Sequence, residues 1–266
     1  MARVVVIGKN SFLARRFLAL SSLETVAVSH DELDTPGLFD DAACVVNFAL
    51  DPRMMREPYA VERDLDVRIA EKIARSSTRF VMMSTRMVYG PDHCLGAVES
   101  AAAVGLNQYG ANKLETEGRL RALLGDRVTI VRLSNVLGWE ISRGHPSFIL
   151  RVLGKLRESG TIEYDISPFT RKDFVTETYF VNVLDQACNS PRGGTYNVGS
   201  GIPLEVGRVA MWVLEGHGKG SFVVTSPRVH DEFWLDMTNT SAHFGLPPTL
   251  DELRAACRAL GTQVLA

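Results

Sequence analysis

Over roughly the first half of the chain, short apolar runs alternate with longer segments in which apolar residues return every three or four positions. The runs at residues 3–7, 25–28, 44–48, 79–84 and 128–133 are almost continuously apolar, as strands are when helices cover both faces of a parallel sheet. Segments 12–20, 60–76 and 107–124 carry helical spacing. Apolar strands interspersed with helical segments predict a doubly wound α/β domain, a Rossmann-type parallel sheet. After Gly138 the pattern loosens into a Gly- and Pro-containing stretch that runs to Pro168. Helical segments at 175–188, 204–214 and 250–260 and strands at 195–198 and 222–224 follow. The expectation is a nucleotide-binding-type domain at 1–138, with 139–266 mostly a smaller α/β substrate lobe, some of whose segments return to the first domain.

Composition narrows the function classes. With 266 residues, 45% hydrophobic and 23% charged, the chain is long and apolar enough for a substantial core. A formal net charge of -2 supplies no basic footprint, so neither a nucleic acid nor a membrane surface is expected as partner. Cys44, Cys94, Cys188 and Cys257 are scattered, which suggests neither a disulfide framework nor a zinc site. The six histidines show no ligand spacing either, and no metal is expected. The first apolar run stops at Gly8 and is followed by Lys9, Asn10, Arg15 and Arg16, unlike a signal peptide, and no apolar stretch reaches a membrane span. A cytoplasmic location is expected.

Chemistry enters at the end of the first run. Val4-Val5-Val6-Ile7 leads into Gly8-Lys9-Asn10-Ser11-Phe12-Leu13-Ala14 and then a helix, the place where a Rossmann fold puts its phosphate-binding turn. Of the three small positions only Gly8 is a glycine; Ser11 and Ala14 take the others. The second run ends Val28-Ser29-His30-Asp31, with no acid at the strand tip for an adenine-ribose 2′-hydroxyl, while Lys9 and His30 are placed to meet a 2′-phosphate. NADP(H) is therefore expected over NAD(H).

Two segments carry the strongest signal. Met83-Ser84-Thr85-Arg86-Met87-Val88-Tyr89-Gly90 ends a strand, and Tyr109-Gly110-Ala111-Asn112-Lys113 lies on the next long helix. Tyr109 and Lys113 are one helical turn apart, so phenol and ammonium share a face. A neighbouring ammonium favours tyrosinate, which is expected to bring the phenol down toward working pH for proton exchange with a carbonyl or alcohol. Thr85 would hydrogen-bond the same substrate oxygen, with Ser84 as a spare hydroxyl.

With these motifs the chain resembles the extended short-chain dehydrogenase/reductases, the NAD-dependent epimerase/dehydratase family of sugar-nucleotide enzymes. Val45-Val46-Asn47-Phe48-Ala49, Val131-Arg132-Leu133-Ser134-Asn135-Val136-Leu137-Gly138, Arg171-Lys172-Asp173-Phe174-Val175, Tyr196-Asn197-Val198-Gly199-Ser200-Gly201 and Arg228-Val229-His230-Asp231 resemble further family segments. The resemblance implies Thr85, Tyr109 and Lys113 as catalytic residues. It implies cofactor contacts from Gly8, Asn10, Ser11, Phe12, Leu13, Ser29, His30, Phe48, Ala49, Leu50, Ser84, Tyr109, Lys113 and Leu133. A sugar-nucleotide substrate would meet Thr85, Arg86, Asn135, Lys172 and Arg228, and a homodimer would form through 60–76 and 107–124.

Departures from the family patterns restrict the reaction. Where 4,6-dehydratases follow the threonine with an Asp-Glu pair, this chain has Arg86 and Met87, so dehydration is not expected. The cysteine and histidine of the GDP-fucose-synthesising epimerase-reductases would fall at Met87 and Glu140, which argues against a double epimerisation. Reduction of a keto group on a nucleotide-linked deoxysugar, as in 4-dehydrorhamnose-type reductases, is favoured. NAD-dependent 4-epimerisation is the first alternative and a non-catalytic NADP(H)-binding sensor or scaffold the second.

Overall fold

A computed structural model describes residues 3–140, 147–190 and 193–265. The chain divides into two compact units. The first runs to His93 and adds Glu99–Leu133 and Val181–Asn197; the second comprises Cys94–Val98, Ser134–Phe180 and the chain from Val198.

The first unit is built on a six-stranded sheet of β1 (Arg3–Ile7), β2 (Thr25–Val28), β3 (Ala42–Asn47), β4 (Arg79–Thr85), β5 (Val128–Leu133) and β6 (Gly194–Val198). Their spatial order is β2-β1-β3-β4-β5-β6, and β1 to β5 pair in parallel. These strands read as continuous apolar runs because both their faces are covered: Val4, Val5, Val6 and Ile7 are all buried. Register aligns the strand ends. Ile7 lies opposite Val28 and Asn47, and Thr85 lies opposite Leu133. The order reverses between β1 and β3, where doubly wound sheets open a ligand crevice at their carboxyl edge.

Three helices of this unit concern the site: α1 (Phe12–Leu20), α2 (Leu65–Ile73) and α3 (Gln108–Leu124). Ser11 caps α1 by accepting from the Ala14 N–H, and Asn107 caps α3 by accepting from that of Gly110. The second helix is shorter than the predicted 60–76. Asp64 caps it by accepting from the N–H groups of Asp66 and Val67, and residues 61–63 before it form a single 3₁₀ turn. Ile69 and Ile73 of α2 and Leu120 and Leu124 of α3 join Val5, Ile7, Phe80, Met82 and Ile130 in one apolar cluster. Each fully buried side chain of this size contributes about 1.5–3 kcal/mol.

The second unit packs helices Phe148–Ser159, Val206–His217 and Leu250–Leu265 around Ile162, Tyr164 and Phe174. The first of these helices corrects the loose reading of 138–168. Ser147 caps it, and Ile149, Leu150, Val152, Leu153 and Leu156 bury one face; residues 141–146 of that stretch lie outside the described residues. No described helix is long and apolar enough to cross a membrane.

Candidate active site

The turn after β1 is set by Gly8, whose φ of +87° suits glycine and whose missing side chain lets the chain pass close to β3: a Cβ there would sit 2.7 Å from the Ala49 nitrogen. Gly8 and Lys9 both donate their N–H groups to the Val28 carbonyl, tying the turn to the end of β2. With Ser11 satisfying Ala14, the N–H groups of Phe12 and Leu13 open the first turn of α1, the type of site that receives a phosphate. The residues present fit a dinucleotide pyrophosphate. Asn10 and Ser11 lie in this turn, Ser29 and His30 follow β2, and Phe48, Ala49 and Leu50 follow β3, so the sheet gathers these positions along one edge.

At the tip of β2 the charges are already paired. Lys9 Nζ lies 2.8 Å from Glu32 Oε2, and the Ser29 N–H donates to the same oxygen at 2.7 Å. The Lys9 ammonium and the Ser29 N–H hold the Glu32 carboxyl down at about 2. His30 stands 3.3 Å from Asp31. The two groups expected to receive a 2′-phosphate thus each face a carboxylate.

Thr85 ends β4, and its hydroxyl accepts from the Met87 N–H at 3.2 Å as the chain enters a 3₁₀ turn. Arg86 is buried in that turn. Helix α3 closes directly on it. The Leu106 N–H donates to the Met87 carbonyl at 2.7 Å, and a Cβ on Gly110 would come within 1.9 Å of that oxygen. Only a glycine after Tyr109 allows this approach. Ser84 is not spare: its hydroxyl donates to the buried Glu117 at 2.6 Å. Arg132 of β5 pairs with Glu117 at 2.7 Å and stacks 4.9 Å over Tyr89, whose hydroxyl donates to Asn197. This network fixes α3 against β4 and β5. Leu133 ends β5 at the same carboxyl edge as Thr85.

Tyr109 and Lys113 line one cleft with Ala49, Leu50, Asp66 and Asn112. Asn112 is buried and donates to the carbonyls of Met54 and Glu57, anchoring the loop after β3 to the helix. Lys113 Nζ lies 2.9 Å from Asp66 Oδ2, with both side chains almost wholly buried. Asp66 Oδ1 in turn accepts from Asn47 Nδ2 at 2.7 Å. Asp66 was not among the sequence candidates. Burial pushes its carboxyl up against the pull of Lys113; burial also opposes the Lys113 charge, but Asp66, with smaller help from Tyr109 and Asp64, more than restores it and the ammonium is held upward. The expected lowering of the Tyr109 phenol does not occur. Burial drives it upward, Lys113 pulls it down, and Asp66 pushes it up again.

The substrate candidates outside this unit sit in the second one. Asn135 donates to the Asp173 carbonyl at 3.1 Å. Lys172 is buried, with Nζ 2.7 Å from the Asp231 carbonyl and 2.8 Å from its carboxylate. Arg228 is exposed. Between them Asp173, fully buried, accepts from the N–H groups of Ser200, Gly201 and Leu235 and from the Ser200 hydroxyl. That clamp explains why the Arg-Lys-Asp-Phe-Val and Asn-Val-Gly-Ser-Gly segments occur together.

Residues 29–199 match the NAD dependent epimerase/dehydratase family. The chain belongs to that family. Its α/β fold with a parallel sheet is the fold this membership entails. A solved NAD-dependent NDP-hexosamine 5,6-dehydratase involved in tunicamycin biosynthesis is 20% identical with a TM-score of 0.76, over 99% of this chain and 98% of that one. A UDP-glucuronic acid 4-epimerase from Bacillus cereus, in complex with UDP-glucuronic acid and NAD, is 16% identical with a TM-score of 0.78, over 99% of each chain. A UDP-N-acetylglucosamine 4-epimerase from Methanobrevibacter ruminantium M1, in complex with UDP-N-acetylmuramic acid, is 16% identical with a TM-score of 0.83, over 99% and 98%. No curated protein matches the chain in sequence. The expectation of NADP(H) is overturned. The dehydratase is NAD-dependent and the glucuronic acid epimerase holds NAD, and the pairing of Lys9 with Glu32 supplies the physical reason.

Proposed function

We propose that this enzyme uses NAD to interconvert a sugar nucleotide and its 4-epimer through a transient ketone. The observation that carries the reading is the cleft in which Tyr109 and Lys113 meet at the carboxyl edge of the sheet, beside the turn at Gly8. The turn at Gly8 with the N–H groups of Phe12 and Leu13 would hold NAD, which when bound would provide the hydride chemistry at the sugar carbon. Tyr109 exchanges the proton of the reacting oxygen, Thr85 hydrogen-bonds that oxygen, and Lys113 holds a positive charge beside the phenol. The 4-epimerases among the similar structures support this choice of reaction, and Arg86 and Met87 stand where 4,6-dehydratases carry an Asp-Glu pair, which argues against that dehydration. Arg228 is the cation proposed for the substrate diphosphate, since Lys172 is already held by Asp231.

A second reading, reduction of a keto sugar with NADH, is favoured by one observation: of the three small positions in the phosphate turn only Gly8 is a glycine, which weakens the case for a permanently held NAD. Incubation with NAD and a panel of UDP-sugars, followed by NMR, tests both. Appearance of the C4 epimer without net change in NADH, lost in Tyr109→Phe, is the expected result. NADH oxidation with nucleotide-linked 4-keto sugars and no epimer would replace the first reading by the second, and neither activity would sink both.

A further inference from the structure

The second unit has a carboxyl edge of its own. Its strands Thr161–Tyr164 and Ser221–Val224 pair in parallel with Val224 opposite Tyr164, so the two chains leave the pairing side by side. They stay together beyond it: the Thr225 N–H donates to the Tyr164 carbonyl at 2.9 Å, and the Ser167 N–H to the Arg228 carbonyl at 2.8 Å. The turn at 167–170 is also held by the helix Val206–His217, whose Val206 and Gly207 N–H groups donate to the Thr170 and Pro168 carbonyls. A Cβ on Gly207 would come within 2.8 Å of the Pro168 Cβ, so a glycine lets the helix begin this close. In this fixed turn Ser167 and Thr170 are buried, while Phe169 is 69% exposed. Among the described residues Phe169 is the one Phe, Tyr or Trp that is exposed. Val229, beside Arg228 on the neighbouring turn, is also exposed.

We propose that Phe169 is the ring on which the nucleobase of the sugar nucleotide stacks. This rests on Arg228 being the diphosphate cation proposed above. A nucleoside diphosphate carries a dianionic end and a flat aromatic end, and this edge presents a cation and an open ring on two turns joined by one backbone hydrogen bond. Ligands of parallel sheets gather outside the carboxyl ends of the strands, which is where both turns lie. Stacking needs a π-face and no particular pattern of donors and acceptors, so a phenyl ring can supply affinity for any base. Because backbone hydrogen bonds fix the turn beforehand, little order is lost when the base arrives. The other large rings of this unit are less open: Trp212 and Phe233 are buried, and the Arg171 guanidinium covers Trp234 at 5.1 Å.

The test is calorimetric titration with UDP, dTDP, CDP and GDP, with NAD at saturation so that the turn at Gly8 is already filled. The nucleotide that wild type binds is expected to bind about tenfold or more weakly to Phe169→Ala, and at near wild-type strength to Phe169→Tyr, which keeps the ring. In Phe169→Trp the added indole emission, read against wild type, is expected to be quenched by the same nucleotide. The Phe169 ring is exposed, so these variants keep the fold. Equal affinity of Phe169→Ala and wild type, a loss in Phe169→Tyr as deep as in Phe169→Ala, or an unquenched indole overturns the proposal and leaves the proposed reaction standing. No binding of any of these nucleotides to wild type overturns the proposal and the sugar-nucleotide reading together. The titration needs no turnover, so the expected losses in the absence of any epimerase or reductase activity would count against the proposed reaction alone.

Discussion

Asp66 in the first unit and Asp173 in the second are both buried carboxylates, and the two are compensated in opposite ways. Asp66 in the first unit faces a cation, Lys113, and a side-chain amide. Asp173 in the second faces three backbone N–H groups and a hydroxyl. Both are pushed upward by burial, Asp173 to about 6. The difference lies in what the compensation can do. Backbone N–H groups are fixed dipoles that cannot titrate or move away, so Asp173 ties two turns together. An ammonium sits on a flexible side chain and can titrate, so Asp66 instead holds the side chain of Lys113, a residue proposed to be catalytic.

The comparison is broken most forcefully at Lys113 and Tyr109. Tyr109→Phe is expected to lower turnover by about 10²–10⁴-fold while NAD still binds, measured by steady-state kinetics and by cofactor titration. Lys113→Ala should add a stability loss of about 3–5 kcal/mol in urea unfolding, since it strands the Asp66 charge. Asp173→Ala should invert this pattern, costing about 3 kcal/mol or more from three orphaned N–H groups while leaving NAD binding unchanged. If it weakens NAD binding, the separation of roles fails.

A subtler effect is pH dependence. The folded-state pKa of Asp173 is raised, so its contribution is complete below the unfolded value near 4 and is lost as pH climbs through about 6. The stability advantage of wild type over Asp173→Asn should therefore shrink by about 2–3 kcal/mol between pH 4 and pH 7, read from urea midpoints. The smallest effect is expected at the tip of β2. Glu32→Gln frees Lys9 and should improve NADP(H) binding relative to NAD(H) by roughly two- to fivefold, measured by competitive titration.

The same contrast explains what could be read in advance. Strands buried on both faces announce themselves as apolar runs, and β1, β2 and β5 fall where the runs lie. That Tyr109 and Lys113 share one cleft was legible because one helix carries both. Helix Phe148–Ser159 was missed among the glycines and prolines around it, although Ile149, Val152, Leu153 and Leu156 hold the required spacing. Asp66 was not legible at all. Its partner lies 47 positions away on another helix, and the acidic residues in Glu62-Arg63-Asp64-Leu65-Asp66 look like a solvated face until α2 and α3 pack together. Likewise Lys9 and His30 look available for a phosphate until the turn after β2 folds Glu32 back onto Lys9.

The sixth strand of the sheet, Gly194–Val198, arrives only after the chain has left the sheet at Leu133. During synthesis, β1 to β5 emerge from the ribosome with the outer edge of β5 unpaired until residue 198 follows. At roughly 5–20 residues per second this leaves an open backbone template for several seconds. A nascent chain arrested in that interval has every strand but the one that seals its edge, and it is the species for which a chaperone would compete with aggregation.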